Sequence, residues 1–179
     1  MKKFILLPLV TLSFFSCSED DLPDFNKVDS PRVLAIIADK PEANPGDMIT
    51  ITPVISDLAA VTGVQDSIQV CIDLGISYGA KPTCEGNPTK VVVRALHTLG
   101  APGVLENWTG AADTASFSIP LDAVIFYQRS QQDKYNGVNY IVEYTLHSPS
   151  GQNITAIKRI AVTEATKTSK NLNPTFTDI

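Results

Sequence analysis

Histidine is nearly absent: 179 residues carry two, His97 and His147. They stand in no His-x-x-x-His pair, and the three cysteines, Cys17, Cys71 and Cys84, make no Cys-x-x-Cys. Zinc sites are built from closely spaced imidazoles and thiolates, so neither a metal centre nor any other cofactor is expected. Cations are also short, with 14 Lys+Arg against 19 Asp+Glu. A negative surface repels a phosphate backbone, which argues against nucleic acid as a partner. No internal repeat is present. Beyond the first fifteen residues no apolar run approaches the ~20 residues of a membrane-spanning helix.

What is present begins with a leader. Lys2 and Lys3 give a positive start, residues 4–15 form an apolar run of twelve, and Ser16 precedes Cys17. That order is the pattern of a secretory signal. An ordinary secretory signal that happens to contain a cysteine fits the same residues. Ser16-Cys17 at the end of the run also resembles the lipobox of bacterial lipoproteins, with Phe14 where leucine is usual. The resemblance implies cleavage before Cys17, lipid on its sulfur, and a chain anchored to the outer membrane, facing the periplasm or the cell surface. Several acyl chains on one residue would anchor it stably.

Taking the leader's two lysines from the 14 cations leaves 12 against 19 acids, a formal charge of −7 on the mature chain. With Cys17 assigned to lipid, Cys71 and Cys84 are an even pair in an oxidising compartment. They are expected to form one disulfide; two free thiols are the alternative. Residues 17–30 continue from the leader as an acidic, aperiodic tether. Cys-Ser-Glu-Asp-Asp at its start resembles the acidic export signal of Bacteroidetes surface lipoproteins, and a plain solvated spacer explains it equally. Its acids lack the spacing of a calcium loop.

From Pro31 the period is two, the signature of strands. Residues 33–38 are a continuous apolar run. Pro45-Gly46-Asp47 then turns the chain into residues 48–56, where Ile49, Ile51 and Ile55 face one way and Thr50 and Thr52 the other. Pro53 places this strand at an edge or beside a bulge. Ile68, Val70, Ile72 and Leu74 alternate with Gln69, Cys71 and Asp73, which puts Cys71 on the polar face. Residues 90–97 make a further strand. Ala115, Phe117 and Ile119, and then Val138, Tyr140, Val142, Tyr144 and Leu146, mark two more inward faces. A last strand covers 153–163, with a bulge expected near Lys158. Residues 122–132 lack alternation and suit a short helix capped by Asp122.

Seven strands with turn signals between them point to an all-β, antiparallel sandwich. Arg32-Val-Leu-Ala-Ile-Ile-Ala-Asp-Lys-Pro-Glu-Ala-Asn-Pro-Gly-Asp-Met-Ile-Thr-Ile-Thr resembles the opening strands of immunoglobulin-like domains in bacterial cell-envelope lipoproteins. The organisation expected is a leader at 1–16, a lipidated tether at 17–30, an immunoglobulin-like domain at 31–164 and a tail or linker at 165–179. The closing Asn-Pro-Thr-Phe-Thr-Asp-Ile is similar to the opening of another such module. The tail is too polar to repay the entropy of ordering.

Gly75-Ile76-Ser77-Tyr78-Gly79 matches the Gly-x-Ser-x-Gly elbow of hydrolases. The next residues, Ala-Lys-Pro-Thr, cannot form the helix that the elbow needs, so Ser77 is not expected to be catalytic. The aromatics Trp108, Tyr127 and Tyr135 fall in irregular connections, where rings stack on sugars or anchor interfaces; Trp108 also fits as cover for one end of the core. The functional expectation is a non-enzymatic structural or protein-interaction module, bound to an envelope protein or glycan. The alternative is a carbohydrate-binding accessory lipoprotein of a glycan-uptake system, which exposed, roughly coplanar loop aromatics would favour, whereas aromatics tucked into the core would favour the structural module.

Overall fold

The structure, a computed structural model, describes residues 31–56, 62–75, 81–99 and 114–173. Cys17, Ser77, Trp108 and the last six residues lie outside them. Strands β1 (Arg32–Ala38), β3 (Met48–Ser56) and β6 (Ala115–Ser118) form one sheet in the order β1-β3-β6. Strands β2 (Glu42–Ala43), β8 (Asn153–Val162), β7 (Val138–His147), β4 (Gln65–Ile72) and β5 (Val91–Thr98) form the other, in that order. Helices α1 (Asp122–Ile125) and α2 (Gln131–Asn136) fill the connection between β6 and β7.

The inner faces are those the alternation marks. Ile49, Ile51 and Ile55 of β3 and Ala115 and Phe117 of β6 are buried against Ile68, Val70, Tyr140, Val142, Tyr144, Leu146, Ile160 and Val162 of the larger sheet. Phe117 and Tyr140 meet across the interior with ring centroids 6.0 Å apart. Each aliphatic side chain fully withdrawn from water contributes about 1.5–3 kcal/mol, which makes this shared face the main source of stability.

Several expectations need correction. The sandwich has eight strands among the described residues, not seven, because two residues of the Pro41–Pro45 stretch make β2. That strand runs parallel to β8, pairing Glu42 with Ala161 and Ala43 with Val162, so the sheets are not wholly antiparallel. No bulge occurs at Lys158: the β7–β8 register is continuous from Val138↔Val162 to His147↔Asn153. The half-buried Lys158 sits where β2 no longer flanks β8, so its stem can lie along the sheet and its ammonium reach water. The irregularities fall in the edge strands instead, between Val33 and Ala35 of β1 and twice along β4–β5. Pro53 does not mark an edge strand, since β3 is the middle strand of its sheet. It lies beyond the reach of β6, which pairs only with Met48 to Ile51, and beside the β1 register shift, opposite Ile36.

Leu74 is exposed, and Cys71 is fully buried although its strand neighbours Gln69 and Asp73 are polar. The outward side of the larger sheet carries a second small cluster, made by Cys71, Cys84, Ile141 and Ile157. The single helix expected over 122–132 is two short pieces, of four and six residues. Asp122 does not cap the first, whose N-cap is Leu121 with no side-chain bond. The cap belongs to Ser130, which with Asp133 forms a reciprocal capping box on α2. Gly137 then leads into β7 at φ 104°, where a Cβ would sit 3.1 Å from the Thr163 methyl.

The polar stretch after β8 is also more ordered than its composition suggests. Residues 164–173 lie as a strap across one end of the sandwich. The Asn171 amide donates to Glu42 Oε2 at 2.9 Å, and the Asn173 side-chain amide donates to the Ala38 carbonyl at 2.7 Å. A buried carboxylate at Glu42, rather than apolar burial, supplies the reason to order.

Candidate functional site

Two of the three candidate aromatics, Tyr127 and Tyr135, stand on one corner of the molecule, formed by α1, α2 and the turn between them. Helix α1 is anchored by Ile125 and Phe126, which are buried. Residues three apart share a helix face, and Leu121, Val124 and Tyr127 occupy the opposite one at 69%, 53% and 70% exposure. Gln128 takes a left-handed φ of 56°, an uncommon setting for a residue with a Cβ. The turn closes with the Arg129 amide on the Phe126 carbonyl and the Arg129 guanidinium on the Asp73 carbonyl at 3.2 Å.

Beside this face lies an open depression of ≈ 460 Å³, lined by Asp122, Ala123, Phe126, Gln131, Lys134 and Glu164. Its rim mixes both signs of charge with an amide and an aromatic edge. Gln131 Nε2 donates to Glu164 Oε2 at 2.6 Å, and the Glu164 amide donates to the Lys134 carbonyl at 3.0 Å. The Asp133 carboxylate accepts from the Ser130 hydroxyl and amide, which hold its pKa below the usual value. Tyr135 is 53% exposed, and Lys167 Nζ lies 5.8 Å from its ring centroid.

Lys167 leads inward to a group that the sequence did not flag. Its ammonium pairs with Glu42 Oε1 at 2.8 Å, and the same oxygen accepts from the Thr163 hydroxyl at 2.7 Å. Burial pushes the Glu42 carboxyl up, but the Lys167 hydrogen bond, the Asn171 amide, the Thr163 hydroxyl and the Lys167 charge outweigh it. Together they bring the pKa down from 4.5 to about 2. In the sequence, Glu42 between two prolines looks like a loop acid.

Two further polar groupings were not legible. Asp66, fully buried on β4, holds Arg94 Nη1 at 2.7 Å and His97 Nδ1 at 3.2 Å, while Arg94 Nη2 reaches the Thr114 carbonyl at 2.6 Å. This ties edge strand β5 to the start of β6. On the outer face of the larger sheet, Ser67 Oγ lies 2.9 Å from His147 Nε2, and His147 Nδ1 lies 3.1 Å from Asn153 Oδ1. A ring protonated at Nδ1 would donate to Asn153 and accept from Ser67, the order of a nucleophile, a base and its orienting group. Ser67, however, is mid-strand opposite Thr145 rather than on a sharp turn, and none of the three residues lines the depression. The chain of bonds links β4, β7 and β8.

Cys71 and Cys84 are bridged, with Cα atoms 5.6 Å apart. Glu143 Oε2 accepts from the Thr83 hydroxyl and the Cys84 amide, fastening the bridged loop to β7. Gly75, the first glycine of the Gly-x-Ser-x-Gly stretch, has φ 84° and donates its amide to Asp73 Oδ1, as a loop glycine does. No group of three or more His, Cys, Asp or Glu side chains among the described residues could hold a metal ion.

No protein-family model and no curated protein sequence matches the chain. Among solved structures, it superposes on the sporulation control protein Spo0M of Bacillus subtilis with TM-score 0.40 and 16% identity, over 75% of this chain and 49% of that one. It superposes on murine CRIg with TM-score 0.29 and 14% identity, over 73% of this chain and 98% of that one. The chain thus spans about half the length of Spo0M. Likeness at this level carries no argument about family or partner, so the chain is described by its own two sheets.

Proposed function

We propose that this chain is a non-enzymatic protein-interaction module, immunoglobulin-like in build and held at the outer envelope by lipid on Cys17, with the α1–α2 corner as its contact surface. The observation that carries the reading is the exposed row Leu121, Val124 and Tyr127, which borders the mixed-charge depression; edge strands β1 (Leu34, Ile37) and β5 (Val91, Val92, Leu96) expose apolar side chains as well, but along sheet edges. Exposed aliphatic and aromatic groups grouped beside polar ones are the composition of a contact patch. The aliphatics favour a protein, because sugars are held by ring stacking and hydroxyl-matched hydrogen bonds. The carbohydrate reading keeps two supports, the exposed rings of Tyr127 and Tyr135 and the depression whose Asp122, Gln131, Lys134 and Glu164 could meet hydroxyls.

A photo-crosslinking side chain at position 127 in cells, with position 116 on the smaller sheet as control, separates the two. A discrete protein adduct from 127, absent from 116 and lost in Val124→Asp, is the expected result. A glycan adduct selects the rival reading, and no adduct specific to 127 refutes both. The anchor is tested apart from the contact: intact mass of membrane-extracted protein should show acylation on a chain that begins at Cys17. A freely soluble mature chain without acyl mass would sink that part.

A further inference from the structure

We infer that Glu42, buried and outside the α1–α2 corner, is the positioning residue for the Tyr135 side of that corner, acting through Lys167. The inference rests on the reading of the corner as the contact surface and names what holds it in place. The starting point is that α2 is six residues long and buries none of them. A helix this short is marginal by itself, and without a buried face it has no core packing to fix its place. What it has is the Ser130 cap at one end and the strap alongside.

The strap is clipped by one carboxylate on both sides of Lys167. Glu42 Oε1 takes the Thr163 hydroxyl before it, Oε2 takes the Asn171 amide after it, and Oε1 also takes the Lys167 ammonium between them. Glu42 is itself held by β2, whose parallel pairing with Ala161 and Val162 sets it beside the end of β8. From this fixed point the strap meets α2 three times: the Glu164 amide on the Lys134 carbonyl, the Glu164 carboxylate on Gln131, and Lys167 near the Tyr135 ring. The other strap lysine is engaged elsewhere, with Lys170 Nζ on the Thr163 hydroxyl at 2.6 Å and on the Glu164 carbonyl at 3.4 Å. Among the described residues, Lys167 alone therefore joins the buried carboxylate to a surface ring.

Nitration by tetranitromethane, read peptide by peptide by mass spectrometry, tests this on the isolated protein with no partner required. Tyr127 is the internal reference, because it lies on the same corner and outside the strap's contacts. In Glu42→Gln and in Lys167→Gln the Tyr135-to-Tyr127 nitration ratio should fall by about two- to five-fold, because a cation held over the ring favours the phenolate that the reagent attacks, and a surface contact of this kind is worth that range. Lys167→Arg, which keeps a cation able to lie over the ring, should stay near wild type. An unchanged or raised ratio in the folded glutamine variants, or an equal fall at both tyrosines, overturns the inference. Should Glu42→Gln fail to fold, Glu42→Asp, which keeps the charge but draws it back from Lys167, takes its place; its ratio should fall in the same direction, and a wild-type ratio there overturns the inference. Failure here leaves the crosslinking result at position 127 untouched, so the two readings fall separately.

Discussion

At the scale of single residues, Glu42 makes a pH-dependent contribution to stability. Its folded pKa of about 2 lies below the ordinary 4.5, so the folded state resists protonation more than the unfolded chain does. The stabilisation is fully present above about pH 4.5 and is lost as pH falls towards about 2, at roughly 3 kcal/mol in all. Denaturant unfolding of wild type and Glu42→Gln from neutral to acid pH checks this. The gap between the two proteins should be widest near neutrality and close in acid; a gap independent of pH would show that the carboxylate's charge is not what matters. The cysteine pair is a second case. Its pairing was readable from cysteine count and the expected compartment, but its burial was not, because the polar neighbours Gln69 and Asp73 gave no hint of Ile141 and Ile157 across the strands. The denatured, unreduced protein should take up no alkylating reagent at Cys71 or Cys84. The Cys71→Ala, Cys84→Ala double variant should unfold about 3 kcal/mol more easily, the loop-closure value for a loop of this size.

At the scale of elements, legibility depends on burial of one face. Strands β3, β6 and β7 each bury alternate residues, and alternation is what a sequence displays. Strand β2 is two residues long and cannot display a period. Helix α2 buries nothing, so it carries no apolar stripe, and its only local signal is Ser130-x-x-Asp133. Asp122 is the more conspicuous cap in the sequence, yet it sits at the first helical position of α1 rather than at its cap. Ser130→Ala tests the cap directly. The Asp133 amide donates to Ser130 Oγ at 3.1 Å, and its hydrogen exchange should quicken roughly fivefold, as a lost cap of ~1 kcal/mol allows. Exchange at wild-type rate would mean that the strap rather than the cap holds the first turn.

At the scale of the whole molecule, the two layers and their shared core were readable because they rest on apolar burial, whereas the closing strap was not. Residues 164–173 are polar, and composition alone marks such a stretch as too costly to order. The balance shifts because ordering it satisfies a buried carboxylate, and a buried charge left without partners is strongly destabilising. Two truncations separate these forces. Ending the chain after residue 171 keeps Thr163, Lys167 and Asn171 on Glu42 and removes the Asn173 bonds to Ala38 and Asp39, together with the 84% exposed Leu172. Its midpoint should fall only slightly. Ending after residue 164 removes Lys167 and Asn171 and leaves Glu42 buried with Thr163 alone. Breaking a buried pair typically costs about 3–5 kcal/mol, so this protein should melt far lower and regain part of the loss when Glu42 is replaced by Gln. If both truncations melt alike, the strap is an appendage and Glu42 does not depend on it.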